Sequence, residues 1–213
     1  MLDNRPDYRR FLLPLALALA AVAALTVDVP IAWAFRCWDQ SKPIHDYLGY
    51  VDAFEPFGHG LGVVLVLFAL HQLDPSRRWA IPRVLACALA AGGTADLLKM
   101  LIARIRPNDF SFDGSVWTTF AQFAGSGGQS FPSGHTTTAA GLAAGLIWLY
   151  PQGRLLFSLL VVLVGCQRIV SGAHYPSDVL AGAAAGCFVA QFILHVGRLP
   201  PLFDRWEERW RSK

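Results

Sequence analysis

Six apolar runs dominate this sequence, at about Phe11 to Val27, Phe57 to Leu73, Ala80 to Ala103, Gly134 to Tyr150, Leu155 to Val170 and Val179 to Val196. Each approaches the roughly 20 residues of helix that the hydrocarbon core of a bilayer takes. Hydrophobic residues make up 54% of the 213 positions and charged ones 15%, and the mean hydropathy is +0.40. That is too apolar for an ordinary soluble domain and predicts a polytopic membrane protein. The expected fold is all-α: a six-transmembrane-helix bundle forming a single integral membrane domain over residues 1–213, with no repeat or low-complexity linker dividing it. The first run could be misread as a secretory signal, because Arg9 and Arg10 precede it and alanines crowd its end. Its length and the spans behind it favour a retained helix.

Orientation follows from the Lys and Arg distribution. With both termini cytoplasmic, that side holds twelve: Arg5, Arg9, Arg10, Arg77, Arg78, Arg83, Arg154, Arg198, Arg205, Arg209, Arg211 and Lys213. The opposite side or its membrane edge holds six: Arg36, Lys42, Lys99, Arg104, Arg106 and Arg168. The net charge of +3 has its excess in the cytoplasmic segments. This reads as anchoring to anionic lipid, with no nucleic-acid partner. In the tail at residues 204–213, Trp206 and Trp210 stand four apart, as in a short interfacial helix or a frayed polar end. Cys37, Cys87, Cys166 and Cys187 show no metal-site spacing, so no zinc site is read from them, and no cofactor is expected.

This topology collects three chemically loaded segments on one face. In Lys99–Pro107, seven helical residues would put Lys99 and Arg106 on nearly the same stripe, about 10 Å apart in rise, before Pro107 ends the span. Two such cations can embrace a dianion or simply snorkel. In Ser130–Thr138, Ser133 is an N-cap candidate and Gly134 admits a ligand to the backbone. A helix N-terminus of that kind favours phosphate, and His135 beside it can exchange a proton near neutral pH. In Arg168–Asp178, Ser171 and Gly172 break the fifth run and Pro176 opens the sixth. Asp178 can then reach back to His174, leaving one ring nitrogen free as a nucleophile. Each segment alone has a structural explanation; together they read as phosphoryl transfer through a phosphohistidine.

The patterns K-x6-R-P at Lys99–Pro107, P-S-G-H at Pro132–His135 and R-x5-H-x3-D at Arg168–Asp178 resemble, in order, the three signatures of the type 2 phosphatidic acid phosphatase (PAP2) superfamily. They span a motif core of residues 99–178; the amino-terminal third and the tail contribute only hydropathy. One departure is Gln167, where the family often has Ser. The resemblance implies that His174 attacks phosphorus, that Asp178 orients it, and that His135 protonates the leaving oxygen and then activates water. It further implies that Lys99, Arg106, Arg168, Ser133 and the Gly134 backbone hold the phosphoryl oxygens, in place of a metal.

His59 and His71 read as structural or interfacial, and Asp96 as an intrahelical partner of Lys99. Asn108 and Asp109 are candidates for head-group contact. The expected function is metal-independent hydrolysis of a lipid phosphate or pyrophosphate in a bacterial inner membrane, at a site on the extracytoplasmic side. The substrate could be phosphatidic acid, phosphatidylglycerol phosphate, undecaprenyl pyrophosphate or phosphorylated lipid A. A phosphotransferase using the same site, and a lipid-binding or transport protein that does not hydrolyse, remain open at this stage. The superfamily's resemblance to soluble vanadate haloperoxidases is set aside by the six apolar runs.

Overall fold

A computed structural model describes residues 8–39, 49–120 and 129–211. Its long helices are α1 (Leu12–Ala24), α2 (Asp28–Asp39), α3 (Gly60–Leu73), α4 (Ile81–Leu101), α5 (Gly134–Leu149), α6 (Arg154–Val170), α7 (Pro176–Leu194) and α8 (Leu199–Arg211). Among the described residues there is no strand, only an isolated bridge between Arg104 and Gln129. The protein is an all-α integral membrane protein.

Of the six expected spans, up to five pass by length and composition among the described residues, two of them as bent pairs. Three stretches, Pro75–Leu101, Pro151–Val170 and Pro176–Leu194, are long and apolar enough to cross a bilayer outright. Two more are bent pairs: Tyr8–Ala24 with Asp28–Cys37, at 70°, and Asp52–Gly58 with Gly60–Leu73, at 74°. By length and composition the count reaches five. The remaining apolar run forms α5, only 16 residues long. It packs against α4, α6 and α7 at the centre of the bundle, so protein rather than lipid surrounds most of it.

Large apolar side chains point outward while small ones fill the inside. Leu15, Leu19, Leu65, Phe68, Leu156 and Val162 are exposed, as lipid-facing residues are, whereas Ala88, Ala91, Ala139 and Ala140 are buried. Small residues let helix backbones approach where lipid supplies no hydrophobic drive. A Cβ on Gly141 would lie 2.5 Å from the Cys87 carbonyl oxygen, and one on Gly186 would lie 2.3 Å from that of Thr137. These contacts lock α5 between α4 and α7 and fix where its first turn stands.

At the end of the bundle away from the three motifs, α8 is an ordered amphipathic helix rather than a frayed tail. Arg83 is buried there, donates a hydrogen bond to Asp204 and is ion-paired with Glu207 at 2.8 Å without hydrogen-bond alignment. Its guanidinium also stacks over Trp148 at 4.8 Å. The rings of Trp206 and Trp210 lie 5.2 Å apart, and Leu199, Leu202 and Trp210 remain exposed. Arg83 therefore docks a helix, beyond its expected weight in the charge count.

Candidate active site

The site is assembled at the turn between α6 and α7. Gly172 takes φ +65°, and a Cβ there would fall 2.0 Å from Asn108 Oδ1. Asn108 donates its backbone N–H to the Gly172 carbonyl at 3.1 Å and its side-chain amide to that of Ser171 at 3.0 Å. The residue considered for head-group contact thus staples the first motif to the third. The turn continues with the His174 N–H donating to the Arg168 carbonyl at 3.0 Å. Tyr175 is then the N-cap residue of α7, and its backbone N–H donates to Asp178 Oδ2 at 2.9 Å.

His174 is 3% exposed. Its Nδ1 lies 2.7 Å from the Ser130 carbonyl oxygen and 3.7 Å from Asp178 Oδ2. A carbonyl can only accept, so Nδ1 carries the hydrogen and Nε2 keeps a free lone pair. The expected approach of Asp178 is there, but the shorter bond belongs to Ser130. Asp178 Oδ2 in turn accepts from Ser130 Oγ at 2.6 Å and from the Tyr175 N–H at 2.9 Å. Burial pushes the His174 imidazole below its ordinary pKa of 6.5, against an opposing pull from Asp178.

The second motif faces this ring. Ser133 caps α5, with Oγ 3.5 Å from the Thr136 nitrogen and 3.0 Å from Thr136 Oγ1, and its N–H donates to the Asp178 carbonyl at 3.0 Å. The Ser133 N–H is therefore committed to the fold. The N–H groups of Gly134 and His135, which lack a carbonyl one turn earlier, are the donors a helix start leaves for an anion. A Cβ on Gly134 would sit 3.2 Å from Lys99 Nζ, so the lysine ammonium reaches over that first turn.

Lys99 and Arg106 do not share one helical stripe. The α4 helix ends at Leu101, and Ile102 is already extended at φ −122°, ψ 98°. The backbone instead makes bonds to other segments, from the Ile105 N–H to the Thr119 carbonyl at 2.8 Å and from the Ser130 N–H to the Arg104 carbonyl at 2.9 Å. Arg106 is exposed, and its charge still acts on Lys99, Arg168 and His174. The helical extrapolation failed because pairing with distant segments outcompetes continuation of the helix before Pro107.

Two acids that sequence reasoning passed over cover the site. Glu55 Oε1 lies 3.1 Å from Arg168 Nη2 and 3.3 Å from His135 Nε2, the latter without hydrogen-bond alignment. Asp52 accepts from Gln167 Nε2 at 2.7 Å, while Gln167 Oε1 accepts from Arg168 Nε. Gln167, the departure from the motif, thus links Arg168 to the segment Gly49–Gly58. A Cβ on Gly58 would lie 2.5 Å from the His135 carbonyl oxygen. His59 caps α3 and stacks on His135 with centroids 5.7 Å apart. No spacing rule pointed to Asp52 or Glu55; their only signal was acidity in an outer loop beside cationic motifs.

Beneath the site, Asp178 meets two more charges that the sequence reading did not assign to it, Arg104 and Asp28. Arg104, Asp28 and Asp178 are all 0% exposed. Arg104 bonds Asp28 Oδ2 at 2.7 Å through Nη2, Ser177 Oγ at 2.7 Å and Asp178 Oδ1 through Nη1, and Thr119 Oγ1 at 3.1 Å through Nε. Asp28 at the end of an apolar run was the visible clue, since an acid at membrane depth is rare without a purpose. No group of three His, Cys, Asp or Glu suited to a metal occurs among the described residues.

The cleft so defined gathers Lys99, His135, Arg168 and His174 beside the first turn of α5. The sequence pattern of the PAP2 superfamily matches residues 80–199, and the chain belongs to that superfamily. A lipid A 1-phosphatase of Rhizobium johnstonii is 43% identical over 99 residues, covering 46% of this chain and 40% of the relative. A second lipid A 1-phosphatase, from Rhizobium etli, is 38% identical with 46% of its length covered, so this chain matches less than half of each of these relatives. A decaprenylphosphoryl-5-phosphoribose phosphatase of Mycobacterium tuberculosis is 34% identical over 65% of this chain and 73% of its own. The crystal structure of a transmembrane PAP2-type phosphatidylglycerolphosphate phosphatase from Bacillus subtilis superposes with a TM-score of 0.60. It covers 94% of this chain and 95% of its own at 23% identity, a likeness of fold.

Proposed function

We propose that this protein is a membrane phosphatase that hydrolyses a phosphate monoester or diphosphate on a lipid through a phosphohistidine at His174. The observation that carries the reading is the 2.7 Å bond from His174 Nδ1 to the Ser130 carbonyl. It leaves Nε2 as a nucleophile, in a cleft shared with Lys99, His135 and Arg168.

In the first step Nε2 attacks phosphorus, a P–N bond forms and the bond to the lipid oxygen breaks. His135 gives its proton to that oxygen. In the second step water attacks phosphorus, His135 takes its proton, and the P–N bond returns its electrons to Nε2. Lys99, Arg106, Arg168 and the N–H groups at the start of α5 receive the charge on the equatorial oxygens. Ser133 contributes chiefly by capping that helix. The cations occupy the role a divalent ion fills in other phosphoryl transfers, so the reaction runs without metal.

A lipid as carrier of the phosphate is supported by the relatives, whose names are lipid A and decaprenylphosphoryl phosphatases. It is also supported by an apolar cavity of about 630 Å³ between α1, α5, α6 and α7. Its lining includes Thr136 and Pro176 near the site, and Arg10 and His195 toward the other end of the bundle. The site lies on the extracytoplasmic face of a bacterial inner membrane with both termini inside, as the arginine bias supports.

The test is phosphate release by the purified protein with EDTA, across phosphatidic acid, phosphatidylglycerol phosphate, undecaprenyl pyrophosphate and lipid A, beside His174→Ala. Release that survives EDTA and is lost in the variant is expected. Release by the variant at the wild-type rate would refute the nucleophile.

A further inference from the structure

The three buried charges beneath the site carry more than the fold requires. The first span breaks at residues 25–27, with 70° between its halves. Asp28 opens the second half and is turned into the protein, fully buried. Its Oδ1 accepts the Ser177 N–H at 2.9 Å, in the first turn of α7, and its Oδ2 takes Arg104 and the Ser177 hydroxyl. Arg104 passes the contact to Asp178, stacked between Phe120 at 4.5 Å and Tyr175 at 4.2 Å. Asp178 holds Ser130 Oγ, and the Ser130 carbonyl holds His174 Nδ1.

We infer that Asp28 and Arg104 are positioning residues of the reaction, which hold Asp178 ionised and, through Ser130, fix the His174 ring for attack. The inference rests on the phosphohistidine reading above. The cluster Asp28, Arg104 and Asp178 has a net charge of −1. When Nε2 joins phosphorus while Nδ1 keeps its hydrogen, the imidazole becomes a cation, and this buried negative charge stabilises it. Arg104 bonded to both carboxylates favours the ionised form of Asp178, so Asp178 does not draw the Nδ1 proton away. Packing alone would be served as well by apolar residues of similar volume, whereas the chain of bonds here ends on the nucleophile. The break in the first span delivers the second acid.

Asp28→Asn keeps the shape and removes one charge. The groups that face the His174 ring electrostatically, Asp178, Lys99, Arg106 and His135, are left in place. With one negative charge fewer beneath the ring, the imidazolium is less favoured. The kcat for phosphate release from a short-chain phosphatidic acid should fall by about tenfold to a hundredfold, as for other partners that orient a reacting group, while KM stays within about threefold. The acid limb of kcat/KM should move to lower pH. A merely structural role would lower the amount of folded enzyme and leave the limb where it is. An unchanged kcat, or a lower kcat with an unmoved limb, would overturn the inference.

Ser177→Ala covers the case in which Asp28→Asn does not fold. It removes the hydroxyl shared by Asp28 and Arg104 and leaves all three charges. A smaller fall in kcat at unchanged KM is expected, and wild-type kcat would overturn the inference. Wild-type enzyme quenched in alkaline denaturant, in which a P–N bond survives, and analysed for phosphate on the His174 peptide keeps the two readings apart: no phosphoenzyme there refutes the mechanism itself, whatever the Asp28 variant does.

Discussion

Gly182→Ala adds one methyl group where α7 crosses the start of α5. A Cβ at this position would lie 2.7 Å from the Ser133 carbonyl oxygen and 2.9 Å from Thr137 Oγ1, whereas ordinary contact begins near 3.4 Å. The neighbour at 2.7 Å is backbone, so one helix has to move by about 0.7 Å, the difference between those distances. Overpacking of this kind costs about 1–3 kcal/mol. The moving element carries Ser133, Gly134 and His135, and a displacement of about 1 Å in a reacting geometry costs up to about a hundredfold in rate. The expected result is a fall in kcat/KM of about tenfold or more together with a lower Tm, read by phosphate release and by a thermal melt in detergent. Gly93→Ala is the control, because nothing lies within 4 Å of its added carbon. Wild-type kcat/KM and Tm in Gly182→Ala would refute the claim that the close α5–α7 crossing sets the site.

Other consequences are open to the same assays. Burial lowers the His174 pKa from 6.5, and attack needs the neutral ring, so protonation of the nucleophile removes activity only below that lowered value. The acid limb of kcat/KM should lie below pH 6.5, and a limb above it would contradict the buried environment. The same shift makes the folded state lose stability as pH falls below 6.5, because the unfolded chain takes up the proton more readily. Glu55→Gln removes an anion that sits between Arg168 and His135, so KM and the inhibition constant for vanadate should both fall. The fall should be a few-fold at most, since a partly exposed pair contributes about 1 kcal/mol or less; weaker vanadate binding would show that Glu55 helps hold the substrate. Arg83→Ala leaves Glu207 buried without its cation, at a cost of about 3–5 kcal/mol. A melt and limited proteolysis should show a lower Tm and cleavage within α8, and an unchanged pattern would mean that α8 is held by other contacts.

What the sequence made legible was what local chemistry determines. Apolar runs located the helices, and Ser133, Gly172 and Pro176 marked their ends, because capping and turn residues act within a few positions of themselves. The partners of those residues were not legible. Asp28 meets Arg104 across 76 positions, Gln167 meets Asp52 across 115, and His174 meets the Ser130 carbonyl across 44. Asp178 was expected to orient His174 from four residues away, yet a main-chain carbonyl, which no residue type announces, has the shorter bond. The bent spans follow the same rule. Asp28 and the 3₁₀ segment Gly49–Gly58 are drawn toward buried or cationic partners at the cost of a straight helix.

The central claim is a covalent phosphate on His174. Wild-type enzyme mixed with a lipid phosphate, quenched in the millisecond range and digested should yield a peptide carrying phosphate at His174, formed and consumed at the rate of turnover. Hydrolysis with no phosphohistidine at any time, or turnover by His174→Ala, would contradict it.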